Sequence, residues 1–271
     1  MSDLQDFNGT LVLVGAGKMG GAMLEGWLAL GLDPAKVAIQ EPQPAPEIAA
    51  LAARGVRINP APVDDASVIV IAVKPQVAAD VVPELKVLVR PGTVAVSVMA
   101  GKTLRFLEGA LGNCAIVRSI PNTPAAVGRG ITVAVPNTKV SEKQRALSHT
   151  LLSSVGAVEW VDDEGLIDAS TAVSGSGPAY VFLLVESLAR AGAAAGLPAD
   201  LAARLARATV AGSGELLHQS PLDAATLRQN VTSPAGTTAA ALSVLMAADG
   251  LDPLMEKAVA AATKRSRELA G

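Results

Sequence analysis

The chain has 271 residues, 50% of them hydrophobic and 17% charged, which excludes a disordered polypeptide and suits one large domain or two ordinary ones at about 150 residues each. A net charge of -3 offers no basic excess for a nucleic-acid backbone, and 2% aromatics offer no stacking platform for bases or sugars. One cysteine forms no internal disulfide, and with only two histidines beside it a zinc or iron site is not expected.

Mean hydropathy is +0.40, yet the longest uncharged stretches, Ala169–Val185 and Gln229–Ala248, are interrupted by Ser, Thr, Gly and Pro. Neither is expected to span a membrane. The opening MSDLQDFNGT is acidic and lacks a signal-peptide core, so a cytoplasmic protein with no membrane partner is expected. Abundant alanine-rich apolar helix suggests surface buried against a second subunit.

In chain order, β-branched runs at Thr10–Val14, Val37–Gln40, Val68–Val73, Thr93–Val98, Ala115–Val117 and Ile131–Val135 predict strands. Helices are predicted between them at Lys18–Leu30, Glu47–Arg54, Leu104–Leu111 and Ser141–Ser154. Near-continuous apolar runs such as Val68–Val73 suit parallel strands covered on both faces, so the first part reads as a doubly wound α/β domain. After Val158–Val161 no further strand is expected. Val181, Leu184, Val185 and Leu188 fall at i, i+3, i+4, i+7 within Pro178–Ala195, which Gly196 and Pro198 end. Further helices are expected at Ala199–Leu217, Pro221–Asn230, Pro234–Ala248 and Pro253–Leu269. The boundary is placed at Asp162–Glu164, giving an α/β domain over 1–162 and an all-helical domain over 163–271.

Gly15-Ala16-Gly17-Lys18-Met19-Gly20 follows the first strand and opens the first helix. This is the G-x-G-x-x-G spacing of a dinucleotide site. Gly15 permits the tight turn, Gly17 lets backbone N–H groups approach a pyrophosphate, and Gly20 packs the helix on the strand. Glu41 stands at the end of the second strand, 21 residues after Gly20. A carboxylate there accepts from ribose hydroxyls and repels a 2′-phosphate, so the coenzyme is read as NADH or NADPH with a lean to NADH. Other strand ends expected at the cofactor cleft are Ala72-Val73-Lys74-Pro75, Ala100-Gly101 and the segment Arg118–Pro124 around Asn122.

A base of the kind an alcohol dehydrogenase uses is missing. Tyr180, His149 and His218 fall in predicted helices without a matched partner, and Cys114 borders a buried strand. Polar residues gather instead at Asn230–Thr238. Ser233 reads as an N-cap with Pro234 at the first helical position. Capping does not account for Gly236, Thr237 and Thr238, which together suit a small carboxylate site. Val173–Pro178 carries two further glycines that permit close backbone approach.

Five segments, Gly15–Met19, Ala72–Pro75, Ser119–Pro124, Ser174–Tyr180 and Val231–Thr238, make the chain resemble the pyrroline-5-carboxylate reductase family, in order and spacing over about Leu11 to Leu251. The resemblance implies a Rossmann-like dinucleotide-binding domain and an all-α dimerisation domain that interlocks with a second copy, often within larger rings. It implies hydride transfer from NADPH or NADH to 1-pyrroline-5-carboxylate, giving L-proline, the last step of proline biosynthesis. By position, Ser233, Gly236, Thr237 and Thr238 would hold the substrate, with Thr238 as the catalytic hydroxyl near the ring nitrogen. Glu164 would approach the substrate region, and Asn122, Gly175 and Asn230 the nicotinamide end. Ala235 stands where the family often has Gly. Glu41 and Pro62 stand where many members carry Ser or Asn. The alternatives are a reductase of another cyclic imine or of a short hydroxy acid, and a nicotinamide sensor without catalysis.

Overall fold

The computed structural model describes residues 4–60, 63 and 66–270. Pro62 lies outside the described residues. The chain forms two compact units, residues 1–175 with 263–271, and residues 176–262.

The first unit is an eight-stranded sheet of order β3-β2-β1-β4-β5-β6-β7-β8. Its strands are β1 (Thr10–Val14), β2 (Val37–Gln40), β3 (Arg57–Ile58), β4 (Ala66–Ile71), β5 (Val94–Ser97), β6 (Ala115–Ile120), β7 (Gly130–Pro136) and β8 (Gly156–Trp160). Pairing is parallel except between β6 and β7, where Arg118 faces Val135. Helices α1 (Lys18–Ala29), α2 (Pro46–Ala50), α3 (Ala78–Glu84), α4 (Leu104–Leu111), α5 (Glu142–Ser153) and α6 (Leu166–Ser170) connect the strands or follow them.

The apolar runs divide by alternation. Leu11, Leu13, Val68, Val70, Val94 and Val96 pack with Met23, Leu24 and Trp27 in one core cluster. Val12, Ile69, Ile71, Ala95 and Ile116 pack with Leu107 and Leu111 in another. Successive side chains point to opposite faces, so both faces are covered, and each fully buried Leu or Ile contributes about 2 kcal/mol. The Trp27 indole N–H donates to the Leu151 carbonyl at 2.9 Å, so its burial strands no donor. The sheet order reverses between β1 and β4, which opens a crevice at the carboxyl ends of these strands.

Local features of the first unit differ from the sequence reading. β3, only two residues, was not expected, because two residues carry no periodicity. The Glu47–Arg54 helix is α2 followed by a 3-10 turn over Leu51–Arg54. Residues Thr171–Gly175 wind as a π-turn, which the Val173–Pro178 glycines did not signal.

The second unit is helical: α7 (Gly177–Ala194), α8 (Ala199–Gln219), α9 (Ala224–Asn230), α10 (Thr237–Leu245) and α11 (Leu251–Ala270), the last continuing into the first unit from Thr263. Gly196, at φ +102°, turns the chain between α7 and α8, and Gly192 lies against Ala202, where a Cβ would stand 3.3 Å from that methyl. Of this unit's described apolar side chains only Ala202 and Ala206 are buried, while Phe182, Leu183, Leu184, Leu205 and Leu216 are exposed. The helical run Leu166–Ala194 is long and apolar enough, by length and composition alone, to cross a membrane. Of the Ser and Gly residues expected to interrupt it, Ser174 and Gly175 lie in the π-turn, Ser176 forms a bend, and Gly177 opens α7.

Candidate active site

A cavity of about 590 Å³ opens at the carboxyl ends of β1, β2 and β4, lined by Gly15, Gly17, Glu41, Ala72, Val73 and Lys74 among others. Gly15 sits at φ +89°, and a Cβ on it would fall 2.8 Å from the Ala72 carbonyl carbon. No residue but glycine fits that turn without backbone movement. A Cβ on Gly20 would stand 2.2 Å from the Gly15 carbonyl oxygen, so Gly20 lets α1 start directly on the turn. Gly17 meets nothing within 4 Å, so the space before the helix is open. Gly17 is also the N-cap of α1 and supplies no side-chain cap. The amides of Lys18 and Met19 head the helix, where an anion is favoured. An open space beside an uncapped helix start suits the pyrophosphate of a dinucleotide, so the residues fit the coenzyme that the motif implies.

Glu41 lines this cavity. Its Oε2 accepts from the buried Ala16 amide at 3.0 Å, and its Oε1 from the Gln43 amide at 3.2 Å. The carboxylate therefore braces the glycine turn as well as bordering the site. Asn59, Pro60, Val77, Val81 and Glu84 also line it, and sequence reasoning missed them. Asn59 and Glu84 lie beyond the strand ends on which the motif argument rests. Pro75 follows Lys74 at the start of a 3-10 turn and does not line the cavity. Ala100 and Gly101 follow β5, and Gly101, at φ +68°, lies against Leu269.

The Asn122 side chain is largely committed. Its Oδ1 accepts from the Ile131 amide at 2.9 Å, and its Nδ2 donates to the Ser174 carbonyl at 3.1 Å. Asn122 thus ties the start of β7 to the π-turn that ends at Gly175. Ser174 Oγ and Thr171 Oγ1 donate to the Ser170 and Ile167 carbonyls at 2.8 and 2.7 Å, giving a partner to acceptors beside the π-turn. Glu164 is held by Arg118, N to O 2.5 Å, and by the Leu104 amide at 2.7 Å, all on Oε1. Arg118 carries no signal in the sequence, since its partner lies 46 residues away.

In the second unit, Asn230 ends α9 and is exposed. Ser233 is not the cap expected of it. α10 begins at Thr237 with Gly236 as N-cap, and residues 233–236 form a tight turn closed by the Gly236 amide on the Ser233 carbonyl at 3.1 Å. The reason is Ala235, at φ +56°, a left-handed conformation that no helix continues through. A Cβ on Gly236 would meet Ser233 Oγ at 2.3 Å, so the hydroxyl lies over the glycine backbone. No side chain caps α10, so Thr237 and Thr238 stand in a first turn whose amides are free for an anion.

The remaining titratable candidates stay outside this chemistry. Burial pushes the Cys114 thiol up, and Lys139 opposes that only in part. His149, expected without a partner, accepts from the Trp160 indole N–H at 3.2 Å, with Arg145 stacked 4.7 Å over the same ring system. Among the described residues no group of three His, Cys, Asp or Glu is arranged to hold a metal.

Two family models match the chain. A family model described as pyrroline-5-carboxylate reductase dimerisation matches residues 164–269, and one described as NADP oxidoreductase, coenzyme F420-dependent, matches residues 10–101. The pyrroline-5-carboxylate reductase of Pseudomonas aeruginosa is 40% identical over 264 residues, 96% of this chain and 96% of its own. That of Pisum sativum is 39% identical over 263 residues, again 96% of each chain. The solved structure of such a reductase from Coxiella burnetii matches with a TM-score of 0.89 and 34% identity, over 97% of this chain and 99% of that one. The Plasmodium falciparum enzyme, with NADP bound, matches at a TM-score of 0.78 and 27% identity over 97% and 99% of the two chains. With a glycine turn and nucleotide-sized cavity in one unit, an uncapped Ser-Pro-Ala-Gly-Thr-Thr turn in the other, and identity of this extent from end to end, the chain belongs to the pyrroline-5-carboxylate reductase family.

Proposed function

We propose that this chain reduces 1-pyrroline-5-carboxylate to L-proline with a reduced nicotinamide coenzyme, the last step of proline biosynthesis. The observation that carries this is the uncapped start of α10, where free amides and two threonine hydroxyls offer a small carboxylate its partners. Reductases bearing the pyrroline-5-carboxylate name, 40% and 39% identical over the whole length, support the assignment.

Reduced nicotinamide, when bound, supplies the hydride. The Gly15–Gly20 turn and the start of α1 hold its pyrophosphate. Ala72, Val73 and Lys74 would border its path, while Pro75, Ala100 and Gly101 follow the ends of β4 and β5 outside the cavity lining, and Asn122, Gly175 and Asn230 would belong to the nicotinamide end. Ser233, Gly236 and Thr237 hold the substrate carboxylate, and Thr238 orients the ring nitrogen, with Glu164 toward the substrate region. The absence of a strong base fits this substrate. A protonated cyclic imine takes hydride at carbon, the C=N pair moves to nitrogen, and the neutral amine forms without an enzymic acid. The protein then contributes orientation and carboxylate binding.

The coenzyme choice leans to NADH. Glu41 and Glu84 both line the cavity, where a 2′-phosphate would meet two carboxylates against the single cation of Lys74. Residues 1–162 act as the coenzyme domain, and 163–271 as the substrate and association domain. The uncovered apolar side chains of α7 and α8 support self-association, as a dimer or a larger ring, over a membrane or nucleic-acid partner. The cytoplasm is the compartment that suits a lone buried cysteine.

Purified protein mixed with 1-pyrroline-5-carboxylate will oxidise reduced nicotinamide, followed by its absorbance, and faster with NADH than with NADPH. No oxidation with either, in folded protein that binds coenzyme, overturns the substrate and leaves another cyclic imine or a sensor.

A further inference from the structure

We propose that Asn59 is a positioning residue for coenzyme choice, acting by fixing the main chain of Glu41. The proposal rests on the reading that Glu41 selects NADH.

β3 is only two residues long and pairs with β2 in parallel, Ala38 opposite Arg57 and Ile39 opposite Ile58. The next residue, Asn59, turns out of the strand at φ +46° while its amide still bonds the Ile39 carbonyl at 2.7 Å. Its side chain then takes over from the backbone. Asn59 Oδ1 accepts from the Glu41 amide at 2.9 Å, and Nδ2 donates to the Glu41 carbonyl at 2.9 Å. A carboxamide offers one acceptor and donors in a plane, as a peptide does, so it supplies the rung that the short strand lacks. Aspartate has no such donor, and alanine has neither group.

The clamp sits where the chain would otherwise be loose. Beyond Glu41 come Pro42 and Pro44, which have no amide to hold a ladder. With both Glu41 main-chain groups bound to Asn59, the carboxylate falls on the Ala16 amide and faces the coenzyme cavity, which Asn59 also lines. Residue 59 thereby sets where the negative charge stands, although its own side chain carries none.

The test titrates NADH and NADPH into the protein by nicotinamide fluorescence, with kcat/KM for each coenzyme in parallel. The variants are Asn59→Gly, Glu41→Ser and the double variant. Glycine keeps the left-handed backbone and removes only the clamp. The ratio of the NADPH Kd to the NADH Kd should fall about fivefold in Asn59→Gly, the equivalent of about one net hydrogen bond. The double variant should match Glu41→Ser, because Asn59 acts through Glu41. If Glu41→Ser leaves the ratio unchanged, the Glu41 reading fails and this proposal with it. If Glu41→Ser moves the ratio and Asn59→Gly does not, or weakens both coenzymes equally, the Asn59 proposal alone is overturned. Should Asn59→Gly not fold, Asn59→Ser, which is uncharged and too short to make both bonds, is read in its place, with the same direction expected from loss of the clamp.

Discussion

Arg118, 3% exposed on β6, places its guanidinium 2.5 Å from the carboxylate of Glu164, which also accepts the amide that opens α4. One carboxylate thus neutralises a buried cation and satisfies a helix start. Glu164→Ala should destabilise the first unit by about 3 kcal/mol, because it leaves a buried charge unpaired. Glu164→Gln should cost less, since its amide oxygen still accepts from both donors. Urea denaturation of the two variants decides this, and equal stability of Glu164→Ala and the parent chain would contradict it. Any loss of turnover in Glu164→Ala has to be judged against that loss of stability.

Ala235 stands at φ +56° in the turn before α10. Left-handed backbone costs a residue with a Cβ about 1 kcal/mol or more relative to glycine, partly offset by glycine's greater freedom when unfolded. Ala235→Gly should therefore raise the thermal midpoint, by a net stabilisation of about 0.5 kcal/mol. A lowered midpoint would show that the turn is not strained.

Thr238 lies in the first turn of α10 with no cap before it. Thr238→Ala should lower kcat/KM for the imine about 10- to 100-fold, the cost of one to two orienting contacts, and leave the coenzyme Kd unchanged. Steady-state kinetics with fluorescence titration separates the two effects. Parent-like kinetics would remove Thr238 from the substrate site.

Cys114 is buried beside β6, and burial raises its thiol above the ordinary range. The native protein should resist iodoacetamide at neutral pH and react only on unfolding. Because the folded thiol holds its proton longer than the unfolded one, its contribution to stability is full below the unfolded pKa and is lost as pH rises from there through the raised folded pKa. Rapid labelling of native protein would place the thiol at the surface.

The doubly wound sheet was legible because its signal is local. β1 and β2 fall on the β-branched runs that predict them, and α4 falls on the predicted Leu104–Leu111. The glycine turn was equally legible, since Gly15 and Gly20 meet backbone that lies beside them in the fold. What escaped is held by distant pairing. β3 exists because Ile39 lies beside Ile58, and Arg118 matters because Glu164 comes 46 residues later. Ser233-Pro234 read as a helix start because both types favour one, but the φ of Ala235 decides otherwise, and composition carries no trace of it.

Residues 263–270 belong with the sheet, although the whole second unit precedes them in the chain. Ser266 Oγ donates to Asp168 at 2.6 Å, and Leu269 backs the Gly101 turn. The helical unit is in this sense an insertion within the nucleotide-binding one. On the ribosome the sheet can collapse early, but the wall behind Gly101 is set only when the last helix emerges. Completion of the coenzyme unit therefore waits on synthesis of the helices that interrupt it.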